Sequence, residues 1–277
     1  MNVLQKVLFM FILTQFLGLY TGIFILEDAR TNPVVQEYIA VEHGVSSLPL
    51  FVLYILIGAA VFLVMMKLHI ELLFALLEML VISVTSSILF YAFIRPFIAD
   101  ALPAMALAAL LGVLLAVAKH FIRLLKNLAA VLSSAGAGAV FGFTFSFLAS
   151  LIFFLLMAVY DYIAVFRTRH MVSMAREIIR HDMSFTVTAK ERLPTGAESR
   201  LDLGTGDLAL PIMVEVSAYQ IHPVLSLITM MGAAAGVTFV LVYAWRKKVF
   251  LPAIPFIFSG ILLSLIVAFG VAFLRLL

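Results

Sequence analysis

The chain has 277 residues, of which 65% are hydrophobic and 12% are charged, and its mean hydropathy is +1.19. A soluble domain is about half apolar and about a quarter charged. This composition therefore excludes a soluble globular domain, a coiled coil, a disordered tail and a secreted disulfide scaffold, and it predicts a polytopic membrane protein. The chain has no cysteine, so thiolate metal sites and cysteine nucleophiles are excluded as well.

Apolar runs near the roughly 20 residues that cross a bilayer predict an all-α protein with about nine transmembrane helices. The first run is too long for a signal peptide and lacks a small-residue cleavage site, so it is predicted to be a retained helix. The run 128–166 is too long for one span and is divided near Phe147. The predicted spans are 5–26, 48–66, 70–94, 101–118, 128–146, 148–166, 203–221, 224–244 and 249–275.

The basic residues predict an N-terminus in the cytosol and a C-terminus outside. With nine spans, 15 of the 18 Lys and Arg residues fall on the cytosolic side, and only Arg30, Arg95 and Arg275 fall outside. This bias is typical of membrane proteins, because cytosolic loops carry an excess of Lys and Arg. The net charge of +3 therefore reflects membrane topology, and no nucleic-acid partner is expected.

One polar segment, residues 167–202, separates an N-terminal membrane part (1–166) from a C-terminal one (203–277) and is predicted to be cytosolic. Composition alone favours a flexible linker. The pattern within it predicts a helix over Met171–His181, a short strand over Ser184–Ala189 and a turn at Leu193–Gly196.

Two aspartates lie where a charged side chain is costly. Asp161 precedes the polar boundary at Arg167 by six residues, and Asp207 follows Asp202 by five. They therefore lie roughly 9 and 8 Å inside the same face, on consecutive antiparallel helices. Two carboxyl groups at one depth tend to share a proton, and such a pair provides a general base and a general acid. A structural hydrogen-bonded pair or a cation pathway explains the same geometry equally well.

Glycines favour the catalytic interpretation, because Gly204 and Gly206 just before Asp207 allow another backbone to approach closely. Together with motifs in the sixth and ninth spans, this segment resembles the presenilin and signal peptide peptidase family, the GxGD intramembrane aspartyl proteases. The resemblance covers essentially the whole chain. It is carried by Tyr160-Asp161, by Gly204-x-Gly206-Asp207 and by Pro252-Ala253-x-Pro255.

The resemblance implies a presenilin-like fold, with Asp161 and Asp207 as the catalytic pair. It also implies that the segment Leu251, Pro252, Ala253, Ile254 and Pro255 supports the active site. Ile254 departs from the Leu that is usual in the family's Pro-Ala-Leu motif. Independently, the two prolines are expected to break or delay the ninth helix, because each lacks a backbone donor. Tyr160 either forms a hydrogen bond in the site or packs against lipid or another helix.

Three other acidic residues and three glycine pairs are predicted to be structural. Glu71 and Glu78 form either an ion path or, as we favour, a headgroup contact and a bond to a neighbouring helix. Glu215 lies too far along its helix from Asp207 to join the pair. Close helix contacts, within the chain or in a homo-oligomer, are predicted at Gly18/Gly22, Gly138/Gly142 and Gly232/Gly236.

The sequence thus predicts an endopeptidase that hydrolyses peptide bonds within transmembrane segments or signal peptides, without a metal or another cofactor. The expected partners are membrane lipid and the transmembrane helices of substrates. Short loops and the lack of N-x-S/T sequons favour an archaeal cell membrane. The substrate is hypothesised to add as a β-strand beside Ser184–Ala189, the backbone before Gly204 and Leu251–Pro255. The alternatives are a cation or proton transporter or leak channel, and an inactive relative that binds helices.

Overall fold

The structure is a computed structural model that describes residues 2–39, 49–50, 53, 57–58, 71–122, 125–166, 185–192, 198–247 and 251–274. These residues are mostly helical, and they include one two-stranded sheet, of which the sequence predicted only the first strand. The elements are α1 (Val3–Thr31), α2 (Pro33–Ile39), α3 (Glu71–Ile94), α4 (Ala101–Phe121), α5 (Leu125–Thr144), α6 (Phe147–Phe166), β1 (Thr186–Arg192), β2 (Glu198–Gly204), α7 (Thr205–Tyr219), α8 (Pro223–Lys247) and α9 (Ile254–Leu274).

Six of the described helices, α1, α3, α4, α5, α6 and α8, are long and apolar enough to span a membrane. The break predicted near Phe147 is confirmed, because α5 ends at Thr144 and α6 begins at Phe147. The second predicted span, residues 48–66, lies almost entirely outside the described residues, as does the helix predicted over Met171–His181.

The polar segment contains an antiparallel hairpin that leads directly into α7. Thr186 of β1 lies opposite Gly204 of β2, and the register continues to Arg192 opposite Glu198. The predicted strand is confirmed from Thr186 to Ala189, while Ser184 and the predicted turn at Leu193–Gly196 lie outside the described residues. The linker interpretation is wrong for these two strands, because each supplies the hydrogen-bond partner that the other needs.

The start of the seventh span also differs from the prediction. We predicted a helix from Leu203, but Leu203 and Gly204 belong to β2, and α7 begins at Thr205. Hydropathy did not detect this boundary, because a buried strand and a buried helix are equally apolar. In contrast, α9 begins only at Ile254, after Pro252, as the two prolines predicted.

Helix α7 lies at the centre of the described bundle. It packs against α1, α5, α6, α8 and α9, and every residue from Leu208 to Ala218 is buried. A helix that is buried all round does not face lipid. The bundle therefore fixes the position of α7 from several directions, and with it the position of Asp207.

Two glycine pairs let α1 and α5 approach α7 closely. Ile212 of α7 packs against Gly18 and Gly138, and Val216, one turn later, packs against Gly22 and Gly142. The contacts advance in the same direction along all three helices, so α1 and α5 run parallel to α7. The pair Gly232/Gly236 packs likewise against α9, close to Phe256 and Gly260. All three glycine pairs therefore make contacts within the chain.

The buried charge on α3 has a partner on the neighbouring helix. Glu78 forms a salt bridge with Lys119 of α4, and both side chains are less than one-tenth exposed. This pairing confirms the interpretation of Glu78 that the sequence favoured. The side chain of Glu71 lies outside the described residues.

Candidate active site

Asp161 lies on α6, five residues before the helix ends at Phe166, and is only 2% exposed. The backbone N–H of Ile254 faces its carboxyl group and interacts with it electrostatically. That donor is available because N–H groups in the first turn of a helix have no partner inside the helix. The start of α9 therefore provides a donor to Asp161.

The sequence around Ile254 explains why its N–H faces outward from α9. Pro252 and Pro255 have no N–H groups, and the carbonyl of Ala253 accepts from the N–H groups of Phe256 and Ile257 at 3.1 Å each. Pro252, Ala253 and Ile254 are buried, and Leu251 packs against the core. Because Ile254 interacts with Asp161 through its backbone, the replacement of the family's usual Leu by Ile leaves this interaction unchanged.

Asp207 lies in the first turn of α7, directly after β2. Its Oδ2 atom accepts a hydrogen bond of 3.2 Å from the N–H of Gly204, and this bond ties the carboxyl to the end of the strand. A side chain at Gly206 would meet nothing within 4 Å, so the space beside this exposed glycine is open. The GxGD segment thus combines a fixed carboxyl group with an accessible backbone.

Helices α6 and α7 run antiparallel and bring the two aspartates to the same end. At the opposite end, the hydroxyls of Ser150 on α6 and Ser217 on α7 form a buried hydrogen bond of 2.6 Å. Asp161 and Asp207 are close enough for their carboxyl groups to interact electrostatically. The two carboxyls are therefore neighbours held by different elements, Asp161 by α9 and Asp207 by the end of β2.

Other predicted site residues lie outside this pair. Tyr160 is 36% exposed, and no hydrogen bond of its side chain is seen within the described part of the chain. Its position fits contact with the surroundings of the bundle and not a bond to either carboxyl. Glu215 is fully buried two turns beyond Asp207, and neither of its carboxyl oxygens has a partner among the described residues. No cluster of three His, Asp or Glu residues suited to a metal is present in the same residues.

Sequence reasoning missed two amides that contact these elements. The side chain of Gln15 on α1 donates to the carbonyl of Leu208, and that of Asn127 on α5 binds the backbone of Thr188 on β1. Each is a polar residue near or within an apolar run, and that signal is present in the sequence. The sequence does not show what either amide would contact.

Comparisons with known proteins agree with this geometry. Residues 10–274 match the family described as signal-peptide peptidase, presenilin aspartyl protease. Two similar solved structures are each described as a presenilin family intramembrane aspartate protease. One, in space group C222, is 21% identical with a TM-score of 0.70 and covers 97% of this chain and 99% of its own. The other, in space group P2, is 22% identical with a TM-score of 0.60 and covers 93% and 96%.

A comparison with curated proteins found no match. The family match extends over nearly the whole chain and includes all three motifs, and the two solved structures share its fold. The chain therefore belongs to the signal peptide peptidase and presenilin family, and it is an intramembrane aspartyl endopeptidase of the GxGD type.

Proposed function

We propose that Asp161 and Asp207 are the catalytic pair and that they hydrolyse peptide bonds within transmembrane segments or signal peptides. The observation that carries this proposal is the meeting of two carboxyl groups at one end of adjacent helices, each with its own backbone donor. This arrangement supports a catalytic pair over a purely structural one, because each carboxyl interacts with a different element and the space beside Gly206 is open.

The chemistry requires one ionised and one protonated carboxyl group. The ionised group removes a proton from a water molecule, whose oxygen attacks the peptide carbonyl, while the protonated group donates its proton to the carbonyl oxygen. The tetrahedral intermediate then collapses, the C–N bond breaks, and a proton passes to the leaving nitrogen. The products are a carboxyl and an amine, and neither a metal nor another cofactor is required.

The orientation and location of the enzyme are also proposals. Helices α1, α5 and α7 correspond to the first, fifth and seventh predicted spans, and they run parallel to one another. This is expected when successive spans cross the membrane in alternating directions. Combined with the bias of basic residues, it favours a catalytic pair near the cytosolic face. The protein is an integral membrane protein, and its short loops and lack of sequons favour the cell membrane of an archaeon.

A substrate strand has to add to one edge of the hairpin, and the edge formed by β1 is already used. The side-chain amide of Asn127 donates to the carbonyl of Thr188 at 2.8 Å and accepts from its N–H at 3.0 Å. It therefore takes the place that a third strand would occupy. Addition beside residues 184–189, the first of the three partners that the sequence analysis proposed, is thus disfavoured.

The free edge of β2 is the better candidate. Opposed residues in an antiparallel pair alternate between bonded and non-bonded pairs. Since Thr188 directs its backbone groups to Asn127, the opposite residue Asp202 also directs its own away from β1. The same alternation applies to Arg200, and in the described residues these outward groups have no partner. A substrate strand that pairs here runs alongside Asp202 towards Asp207.

The decisive experiment compares Asp161→Asn and Asp207→Asn with Glu215→Gln in proteoliposomes that contain a single-span substrate. We expect no cleavage by either aspartate variant, and activity close to the wild type in Glu215→Gln, whose buried carboxyl lies outside the pair. Wild-type activity should rise and then fall with increasing pH, because the doubly protonated pair lacks a base and the doubly ionised pair lacks an acid. Substantial turnover by either aspartate variant would exclude the mechanism.

The transporter alternative has no support in the family or fold comparisons. Two results together would support the transporter interpretation. The wild type and all variants would have to fail to cleave any substrate, and ion flux into the same vesicles would have to depend on Asp161 or Asp207.

A further inference from the structure

The turn of α7 that carries Asp207 lacks a normal helical hydrogen bond. Pro211 lies inside α7, four residues after Asp207, and has no N–H to donate to the Asp207 carbonyl. Its ring also crowds the preceding turn. Because the first N–H groups of any helix are unpaired as well, the segment from Thr205 to Leu208 is held by fewer internal bonds than the rest of α7.

A side chain from another helix supports this turn. Gln15 of α1 is 1% exposed, and its Nε2 atom donates a hydrogen bond of 3.1 Å to the carbonyl of Leu208, the residue that follows Asp207. One turn further along both helices, Gly18 packs directly against Ile212. The close packing of α1 on α7 therefore fixes the position of the Gln15 amide along α7, beside the turn that carries Asp207.

The other polar atom of this amide argues against a role in stability alone. The Oε1 atom of Gln15 is buried and has no partner among the described residues. A buried acceptor without a partner costs free energy, which offsets what the single bond to Leu208 contributes. An apolar side chain of similar size would fill the same space without that cost. The bond from Gln15 to the Leu208 carbonyl is therefore better explained by its effect on the position of the turn that contains Leu208.

We propose that Gln15 is a positioning residue that sets the place of Asp207 relative to Asp161. The proposal rests on the proposed function, in which these two carboxyls act together. Asp161 is tied to Ile254 at the start of α9, whereas Asp207 is tied to Gly204 and, through its own turn, to Gln15 of α1. The separation of the carboxyls therefore depends on anchors in different elements, and loss of the Gln15 anchor lets one of them shift.

The first test compares Gln15→Leu and Gln15→Met with Thr14→Val. Thr14 is a matched control, because it is a buried polar neighbour whose hydroxyl donates only to Met10 of its own helix. We expect kcat per folded enzyme to fall about 10-fold to 100-fold in both Gln15 variants, since small displacements of catalytic groups have effects of this size. KM, measured as the mole fraction of substrate in lipid, and the midpoint of thermal unfolding should stay close to the wild type.

The second test asks whether Gln15 acts through the weakened turn. Pro211→Ala restores an N–H for the Asp207 carbonyl, so the turn depends less on support from α1. We expect the loss of kcat caused by Gln15→Leu to be several-fold smaller in the Pro211→Ala background. A Gln15→Leu enzyme with the kcat of Thr14→Val, or an equal loss in both backgrounds, would overturn the proposal. Turnover by Asp207→Asn would instead overturn the proposed function, so the two failures are distinguishable.

Discussion

The interaction between the Ile254 N–H and the Asp161 carboxyl shows how a backbone group can matter more than the side chain of the same residue. Ile254 is the first residue of α9, and its N–H is directed at Asp161 because the helix does not use it. The side chain differs from the usual Leu of the family motif, yet the donor is the same. A sequence motif of this kind therefore reflects a required backbone geometry in addition to a side-chain preference.

Replacing Ile254 with Pro removes this donor while keeping the helix start. Proline is well accommodated at the first helical position, where its fixed φ suits the helix and its missing N–H is unpaired in any case. A hydrogen bond to a charged group contributes about 1.5–3 kcal/mol, so kcat should fall roughly 10-fold to 100-fold in Ile254→Pro. Ile254→Leu keeps the donor and should cleave at nearly the wild-type rate. Equal kcat values for the two variants in the proteoliposome assay would show that the bond is unimportant.

At the scale of elements, the hairpin is asymmetric, because one of its edges is covered and the other is open. Asn127 covers β1, whereas the outward backbone groups of Arg200 and Asp202 on β2 have no partner in the described residues. The Asp202 side chain accepts hydrogen bonds from Arg200 at 2.6 Å and, across the hairpin, from Thr188 at 2.5 Å, so its position on one face of the sheet is fixed. A further strand could therefore pair with the edge of β2 but not with the edge of β1.

Proline at position 200 tests this open edge. Arg200→Pro removes an outward N–H and leaves the bonds between β1 and β2 in place, and proline is tolerated on an edge strand. Arg200→Ala is the matched control, since it loses the same ion pair with Asp202 but keeps the N–H. We expect Arg200→Pro to cleave a single-span substrate several-fold more slowly than Arg200→Ala, with the difference in KM as well as kcat. Equal rates in both variants would argue that the substrate does not pair with β2.

The elements that the sequence predicted are those defined by long apolar runs. The division at Phe147 and the late start of α9 followed from length and from Pro252 and Pro255, which act locally. The hairpin was only half predicted, because β2 is mostly polar up to Asp202 and then continues into the apolar run of α7. The bonds of Gln15 and Asn127 could not be predicted, since each joins residues far apart in the chain, 193 and 61 positions respectively.

At the scale of the whole molecule, the position of α7 depends on the absence of side chains on its neighbours. A Cβ atom added at Gly138 would lie 2.6 Å from the carbonyl oxygen of Ala209 and 2.6 Å from the Cβ of Ile212. The first of these atoms belongs to the backbone of α7, so a rotamer change cannot remove the overlap. Ile212 and Val216 of α7 also pack against Gly18 and Gly22 of α1, so the helix has little room to shift.

Gly138→Ala should therefore destabilise the fold by about 1–3 kcal/mol, the usual cost of overpacking a tightly packed interior. Gly206→Ala is the control, because a Cβ at that position meets nothing within 4 Å. We expect a lower midpoint of thermal unfolding in detergent for Gly138→Ala and little change for Gly206→Ala. If both variants unfolded at the wild-type temperature, α5 and α7 would have to be more loosely packed than the structure shows.

The enclosure of α7 also constrains how the enzyme is made. This helix has only 15 residues and carries Asp207 and Glu215, whereas an independent span needs roughly 20 apolar residues and acidic side chains inside the bilayer are costly. We therefore expect α7 to insert by packing against other helices of the chain and not into lipid alone. Ribosomes synthesise α1 and α5 first, so the glycine-lined surfaces that receive α7 are in the membrane before it emerges. Because α1 and α5 precede α7 in the chain, α7 with its carboxyl groups can pack against them without first being exposed to lipid.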